Sequence, residues 1–382
     1  MRIFFRALLR FFREADIFLL TISLASAIYG LLLINSVVRN LSSGGSEIYV
    51  QIGALVIGVI LFVLFSYIDI DIIADKSGFL FVFSVIFIST LFFWGVGAEE
   101  TGNKAWLRFF GIGIQPAEVV KITFIIIIAK MITNHKERKS LNSTVSVLQM
   151  LLVFAVIFGL IVFVSADLGS ALVYVFILVV MLFAGGLKLR WFAIGIAVIS
   201  ALSPIIYNRF LSQGQRNRVE APFRPDVIDP DRLGVLWQPD MSVSAISSGG
   251  FRGQGLGKGR MTQAALIPEQ RTDFIFSAAG EELGFIGCML IVLLLLSIII
   301  RCIYVGIKSN NTLGFLVCTG IASMFISQML ENIGMCLGIL PVIGITLPFF
   351  SYGGSSLVTC LAAMGIVSGI KMRPKPVRFR SL

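Results

Sequence analysis

The chain is dominated by apolar segments that are too long and too frequent for a soluble interior. A helix needs about 20 predominantly apolar residues to cross a bilayer core. Segments meeting that requirement lie near 16–37, 48–68, 79–97, 114–133, 145–165, 168–187, 191–209, 277–303, 312–338 and 350–370. Backbone groups in lipid find no water, so each segment must close its hydrogen bonds within a helix. Of the 382 residues, 57% are hydrophobic and 14% are charged, whereas a soluble domain carries about 25% charged residues. The expected fold class is an all-α polytopic integral membrane protein of about ten transmembrane helices.

Charge placement sets the expected orientation. The net charge of +10 is carried by short Lys/Arg clusters between apolar runs, with no aromatic-interleaved stripe, so no nucleic-acid partner is expected. One set of connections holds Arg2, Arg6, Arg10 and Arg13, then Lys136, Arg138 and Lys139, Lys188 and Arg190, Arg301 and Lys308. The tail adds Lys371, Arg373, Lys375, Arg378 and Arg380. The positive-inside rule makes that side cytoplasmic and places both termini there. The first apolar run is long and lacks a small-residue cleavage site, so it reads as a retained helix. One long loop, about 210–276 between helices 7 and 8, then faces outward, together with 98–118 and 339–350. With no repeat or separate soluble segment in sight, 1–382 reads as one multi-pass membrane domain whose 210–276 loop carries the candidate site. A loop of that length is usually functional.

The loop holds two chemically dense stretches. Between Ser248 and Arg260 stand Gly249, Gly250, Gly253, Gly255, Gly257 and Gly259, interleaved with Arg252 and Lys258. Such a run suits close backbone approach to phosphate, or equally a flexible basic loop on anionic headgroups. The nucleotide P-loop spacing is absent. Further on, Pro268 breaks the chain and Asp273 falls at the mouth of a helix, next to Phe274, Ile275 and Phe276. Burial would raise its carboxyl pKa, while a helix N-terminus and Arg271 would lower it. A plain helix cap by Thr272 or Asp273 also fits the pattern.

Polar groups at membrane depth are functional candidates by default. Glu118 and Lys121 open the fourth helix three residues apart, on one face, and can pair. Trp106 and Arg108 precede them at interface depth, where an aromatic-belt anchor is the alternative. Asp167 starts the sixth helix, and Glu331-Asn332 is expected to interrupt the ninth. His135, the single histidine, lies in a basic cytoplasmic connection, so an outward-facing site has only carboxylates as general bases. The five cysteines form no CxxC pair and fall in or beside helices. No metal-ligand set is evident and no cofactor motif appears, though a divalent cation is compatible with the chemistry.

These stretches resemble the shape, elongation, division and sporulation (SEDS) family. The resemblance covers nearly the whole chain and rests on 115–121, 166–172, 249–259, 266–276 with 280–287, and 332–356. The last runs Leu340-Pro341 through Leu347-Pro348-Phe349-Phe350-Ser351-Tyr352-Gly353-Gly354-Ser355-Ser356. Asn332-Ile333-Gly334-Met335 and Gly257-Lys258-Gly259 look more like the elongation branch, typified by RodA, than the division branch. Two departures stand out. Ala105 precedes Trp106 where the family often has Arg, and Arg271 precedes Thr272 where it often has His.

The resemblance implies a peptidoglycan glycosyltransferase joining lipid II units by inverting transfer. It further implies a class B penicillin-binding protein (a transpeptidase) as partner, within the elongation machinery of the bacterial inner membrane. Carried onto this sequence, the family's essential loop acid falls on Asp273, its loop Trp on Trp106, and its charged pair on Glu118 and Lys121. The expected chemistry has Asp273 as base, with Lys121, Arg108 and Arg252 as the candidate cations for a departing diphosphate and Lys258 as a further substrate-binding residue. The competing readings are a lipid-linked precursor flippase, since intramembrane acids could line a passage, and a non-catalytic scaffold for a transpeptidase.

Overall fold

The computed structural model describes residues 11, 13–39, 44–97, 104–109, 112–209, 211–309 and 311–373. In chain order the helices are α1 (Ile17–Val38), α2 (Gly44–Tyr67), α3 (Ile70–Asp75), α4 (Ser77–Ser89), α5 (Leu91–Trp94), α6 (Pro116–Glu137), α7 (Thr144–Leu160), α8 (Leu168–Gly185) and α9 (Leu189–Arg209). Next come four short loop helices: α10 (Gln213–Glu220), α11 (Pro225–Ile228), α12 (Trp237–Gly249) and α13 (Arg260–Gln263). The chain closes with α14 (Ile275–Lys308), α15 (Thr312–Cys336) and α16 (Gly354–Met372). Segment 210–276 thus carries four short helices joined by turns and is not one uninterrupted loop. Among the described residues, the departures from an all-α fold are a small hairpin, β1 (Leu107–Phe109) with β2 (Ile112–Ile114), and a single β-bridge between Val96 and Trp106.

Among the described residues, nine helical segments are long and apolar enough to cross a membrane. The remaining expected span is α6, whose 22 residues carry Glu118, Lys121 and Lys130. The protein is a multi-pass membrane protein. α15 and α16 form its core, with 78% and 83% of their apolar windows buried, while α9 buries none. Gly365 and Gly369 of α16 let α2 approach closely: a methyl on Gly365 would meet the Phe62 carbonyl oxygen at 2.6 Å.

Acid–base contacts gather the basic connections at one end of the bundle. Buried Asp16 accepts from Arg301 at 2.8 Å and pairs with Lys371 at 3.5 Å. Lys130 meets Asp75, and Arg373 meets Asp69. The basic-end residues Arg2, Arg6, Arg10, Lys375, Arg378 and Arg380 lie outside the described residues. The five cysteines are free and buried.

α14 is two helices in one. Gly284 breaks it with φ 66° and ψ −160°, so the stretch from Ile275 to Leu283 belongs to the loop layer and the remainder crosses the bundle. The glycine-rich run docks into this break. The N–H groups of Phe285 and Ile286 donate to the carbonyls of Gly250 and Phe251, while Gln254 and Gly255 donate to those of Glu281 and Glu282. Helix ends leave such groups unpaired; here the loop backbone supplies their partners. A methyl on Gly249 would fall 2.0 Å from the Gly280 oxygen, and one on Gly253 2.2 Å from the Glu282 oxygen. The glycines permit backbone-to-backbone contact with protein. Buried Glu281 accepts from the Met261 and Thr262 N–H groups and the Thr262 hydroxyl. Glu282 accepts from Ser36 and Gln263.

α15 runs without a break through Glu331 and Asn332. The expected interruption does not occur: one Glu331 oxygen and the Asn332 amide find partners without disturbing the helix, and the other Glu331 oxygen has none among the described residues. Glu331 accepts from Ser327, one turn back on the same helix, and Asn332 turns inward to backbone carbonyls.

Candidate active site

At the end opposite the basic cluster, a cavity of about 360 Å³ opens between α6, the start of α8, the loop layer and residues 342–346. Asp273, Trp106, Glu118 and Lys121 all line it. The structure therefore brings together four of the seven residues expected from sequence. Arg108 is exposed on β1, outside the lining, and has its own partner. Arg252 is exposed on the docked glycine run. Lys258 lies in a separate groove with Gln254, Arg260 and Glu281.

Asp273 is fixed through its backbone. Glu269, at φ 41°, turns the chain so that its carbonyl accepts from the N–H groups of Thr272, Asp273 and Phe274. The next three carbonyls are then held one by one. That of Arg271 accepts from Tyr352 N–H at 2.8 Å, that of Thr272 from the Ser351 hydroxyl at 2.5 Å, and that of Asp273 from Asn332 Nδ2 at 2.8 Å. The Cys336 thiol also reaches the Asp273 carbonyl. The side chain is left to face the cavity. It caps no helix, since α14 begins after Phe274 without a side-chain cap.

The surroundings of the Asp273 carboxyl favour its neutral form. Burial is the main cause, the charges of Glu269 and Asp167 add to it, and a hydrogen bond from Thr272 works against it; together they raise the group to about 7. Arg271 plays no part, because it turns away to pair with Glu47. Gly344, at φ 73°, passes so close that an added methyl would sit 3.3 Å from Asp273 Oδ2.

Across the cavity, Lys121 Nζ donates to Glu118 Oε1 at 2.6 Å, with both residues buried. Pro116 starts their helix at a position where no N–H is needed. Tyr174 of α8 locks the same turn by donating to the Ala117 carbonyl at 2.6 Å. Asp167 caps α8 through the Ser170 N–H and hydroxyl and accepts from Gln115 Nε2 at 2.8 Å. The chain reaches it through a π turn (Ile161–Ser165) and a left-handed Ala166 at φ 55°, features that often re-aim side chains at functional sites. Trp106 is held against Gly113 across the hairpin, which explains the small residue there.

Among the polar lining residues, Arg218, Gln238 and Gln328 were not found from sequence. Arg218 of α10 reaches the cavity from the loop layer; as one of several loop arginines it gave no distinguishing signal. Gln328 of α15 reaches it from below, in a helix whose polar positions were read only at Glu331-Asn332. Among the described residues, no group of three or more His, Cys, Asp or Glu side chains could hold a metal ion.

A polar, carboxylate-bearing cavity thus opens at one end of a many-helix membrane bundle. Together with the following comparisons with known proteins, it defines a membrane enzyme. The family model FTSW_RODA_SPOVE, described as "Cell cycle protein", matches residues 16–375. The "Probable peptidoglycan glycosyltransferase FtsW" of Trichlorobacter lovleyi is 31% identical over 370 residues, covering 94% of this chain and 95% of that protein. The "Peptidoglycan glycosyltransferase MrdB" of Escherichia coli K12 is 30% identical over 360 residues, covering 94% and 93%. A chain solved in work on a peptidoglycan synthase complex that coordinates polymerization and crosslinking superposes with TM-score 0.79 at 27% identity, covering 94% of this chain and 97% of that one. The rod shape determining protein RodA of Thermus thermophilus shares the fold, with TM-score 0.67 at 23% identity over 94% and 96% of the two chains. This chain belongs to the FtsW/RodA/SpoVE, or SEDS, family.

Proposed function

We propose that the chain is a peptidoglycan glycosyltransferase of the bacterial inner membrane, polymerising lipid II into glycan strands at the outer face with Asp273 as general base. The observation that carries this reading is the Asp273 carboxyl, backbone-anchored on three consecutive carbonyls, raised to about 7 and facing a cavity that also holds a buried lysine. Relatives at 30–31% identity over nearly full length carry that activity in their names.

The acceptor's 4-hydroxyl gives its proton to the Asp273 carboxylate while its oxygen attacks the donor's anomeric carbon. The new glycosidic C–O bond forms as the bond from that carbon to the prenyl diphosphate breaks, with inversion. A base placed within hydrogen-bond reach contributes about 10²–10⁴-fold. Lys121 and Arg218, the cations lining the cavity, neutralise the departing diphosphate. Arg108, Arg252 and Lys258 stand outside the lining and take no direct part in this step. The prenyl chain stays in lipid beside the helices. In this reading the basic end of the bundle is cytoplasmic. The partner is a class B penicillin-binding protein, and the role is elongation and cell shape, which the 332–335 motif favours.

The test is gel-resolved polymer formation from lipid II by purified wild type and Asp273→Asn. The variant should fall by at least about 10² in rate; full activity would remove Asp273 from the base role. Labelling of cysteines placed in 210–276 on intact cells checks the sidedness, and protection of that segment would put the cavity on the wrong side.

A further inference from the structure

Gln328 lies one helical turn before Asn332 and is 1% exposed. It lines the cavity that holds Asp273, Glu118 and Lys121. Neither Nε2 nor Oε1 has a hydrogen-bond partner among the described residues. Polar groups buried in this way are normally paired, and leaving them unmade is costly. Most nearby polar side chains obey that rule, although Oε2 of Glu331, one turn along the same helix, also has no partner among the described residues. Asn332 serves two carbonyls, Asp167 accepts from Gln115 and Ser170, and Lys121 is paired with Glu118.

The chemistry of the unmade bonds narrows the ligand. A carboxamide presents an acceptor next to donors at a fixed spacing. A diphosphate only accepts, so it would leave Oε1 orphaned. Neighbouring substituents on a pyranose, two hydroxyls or a hydroxyl beside an amide N–H, offer a donor and an acceptor side by side and satisfy both ends together. Position agrees with chemistry. Residues four apart on a helix stand about 5–6 Å from each other, and Asn332 bonds the Asp273 carbonyl. Gln328 therefore lies one turn from the residue that holds the Asp273 backbone, and both Gln328 and Asp273 line the same cavity.

We infer that Gln328 is a sugar-binding residue of the cavity, gripping a vicinal donor–acceptor pair on a pyranose of the lipid-linked substrate and not its diphosphate. The inference rests on the glycosyltransferase reading above.

The experiment compares two ligands on wild type, Gln328→Leu and Gln328→Met. One is lipid II, read as the KM of polymerisation. The other is undecaprenyl diphosphate, which keeps the diphosphate and the prenyl chain but carries no sugar, read as an inhibition constant. Gln328→Leu should raise the KM roughly tenfold or more while the inhibition constant stays within about twofold. An equal rise in both would assign the residue to the diphosphate and overturn the inference. No change in either would make its burial a matter of packing and overturn it equally. Should Gln328→Leu fail to fold, judged by elution profile and thermal melting, Gln328→Met keeps the length and flexibility and carries the same measurement. A wild-type protein that makes no polymer from lipid II would instead remove the underlying activity.

Discussion

The side-chain amide of Asn332 donates to the carbonyl oxygens of both Asp273, at 2.8 Å, and Ile345, at 2.7 Å. One residue of α15 thus joins the loop that carries the acid to the 342–346 segment that lines the cavity beside it. It touches no reacting atom, and its role is to position.

Replacing Asn332 by Leu should therefore lower both stability and turnover. Two carbonyls lose their amide donor, which costs the Ile345 carbonyl about 1–3 kcal/mol and leaves that of Asp273 only the weak Cys336 thiol, and a displacement of the proposed base by an ångström can lose about 10²-fold in rate. Thermal melting in detergent should drop. The kcat for lipid II polymerisation should fall while KM changes little; a KM effect alone would contradict a positioning role.

The pH profile follows from the state of Asp273. A general base works deprotonated, and the carboxyl sits at about 7 instead of near its ordinary value. Rate should climb with pH through about 7 and level off above it, losing about tenfold per unit on the acid side. Initial rates across that range, with folding checked at each pH, provide the measurement. A rate that stays flat down to pH 5 would contradict the raised value.

The buried Glu118–Lys121 pair separates structure from chemistry by a double substitution. Lys121→Met alone strands a buried carboxylate, and breaking such a pair costs about 3–5 kcal/mol. Adding Glu118→Gln should restore much of the melting temperature, because no lone charge remains. Polymerisation should stay low in the double variant, since the cation facing the diphosphate is gone. Full recovery of both would make the pair purely structural.

Gly253 tests the docking of the glycine-rich run. Its φ of +79° and the 2.2 Å clearance to the Glu282 oxygen leave no room for alanine. Gly253→Ala should release the run from the α14 break, seen as faster limited proteolysis within 249–260. Activity should fall in parallel, although the site lies outside the cavity lining.

Apolar run length made most of the fold legible. Residues 17–38, 144–165, 168–185 and 312–336 fall within a few positions of the spans read from sequence, because a helix in lipid has no alternative partner for its backbone. Asp273, Trp106, Glu118 and Lys121 were legible as polar residues at membrane depth or at its edge. The arrangement of the loop layer was not. Arg271 looked like a partner for Asp273, yet its side chain goes to Glu47 on α2, some two hundred residues away in the chain. The glycine run looked exposed, yet its backbone completes a broken helix whose fracture at Gly284 leaves no periodic signature. Gln328 was hidden for a similar reason: one amide in an apolar helix gives no hint that it will lack a partner.

The anchoring of Asp273 by Ser351 and Tyr352 has a consequence for biosynthesis. The acid is translated some eighty residues before the groups that seat it, so a ribosome-bound chain that has already inserted the loop still lacks the contacts that fix Asp273. Those contacts become available only as Ser351 and Tyr352, just ahead of α16, leave the ribosome. A chain ending after residue 340 would carry the acid unseated, and on the proposed mechanism it would make no polymer.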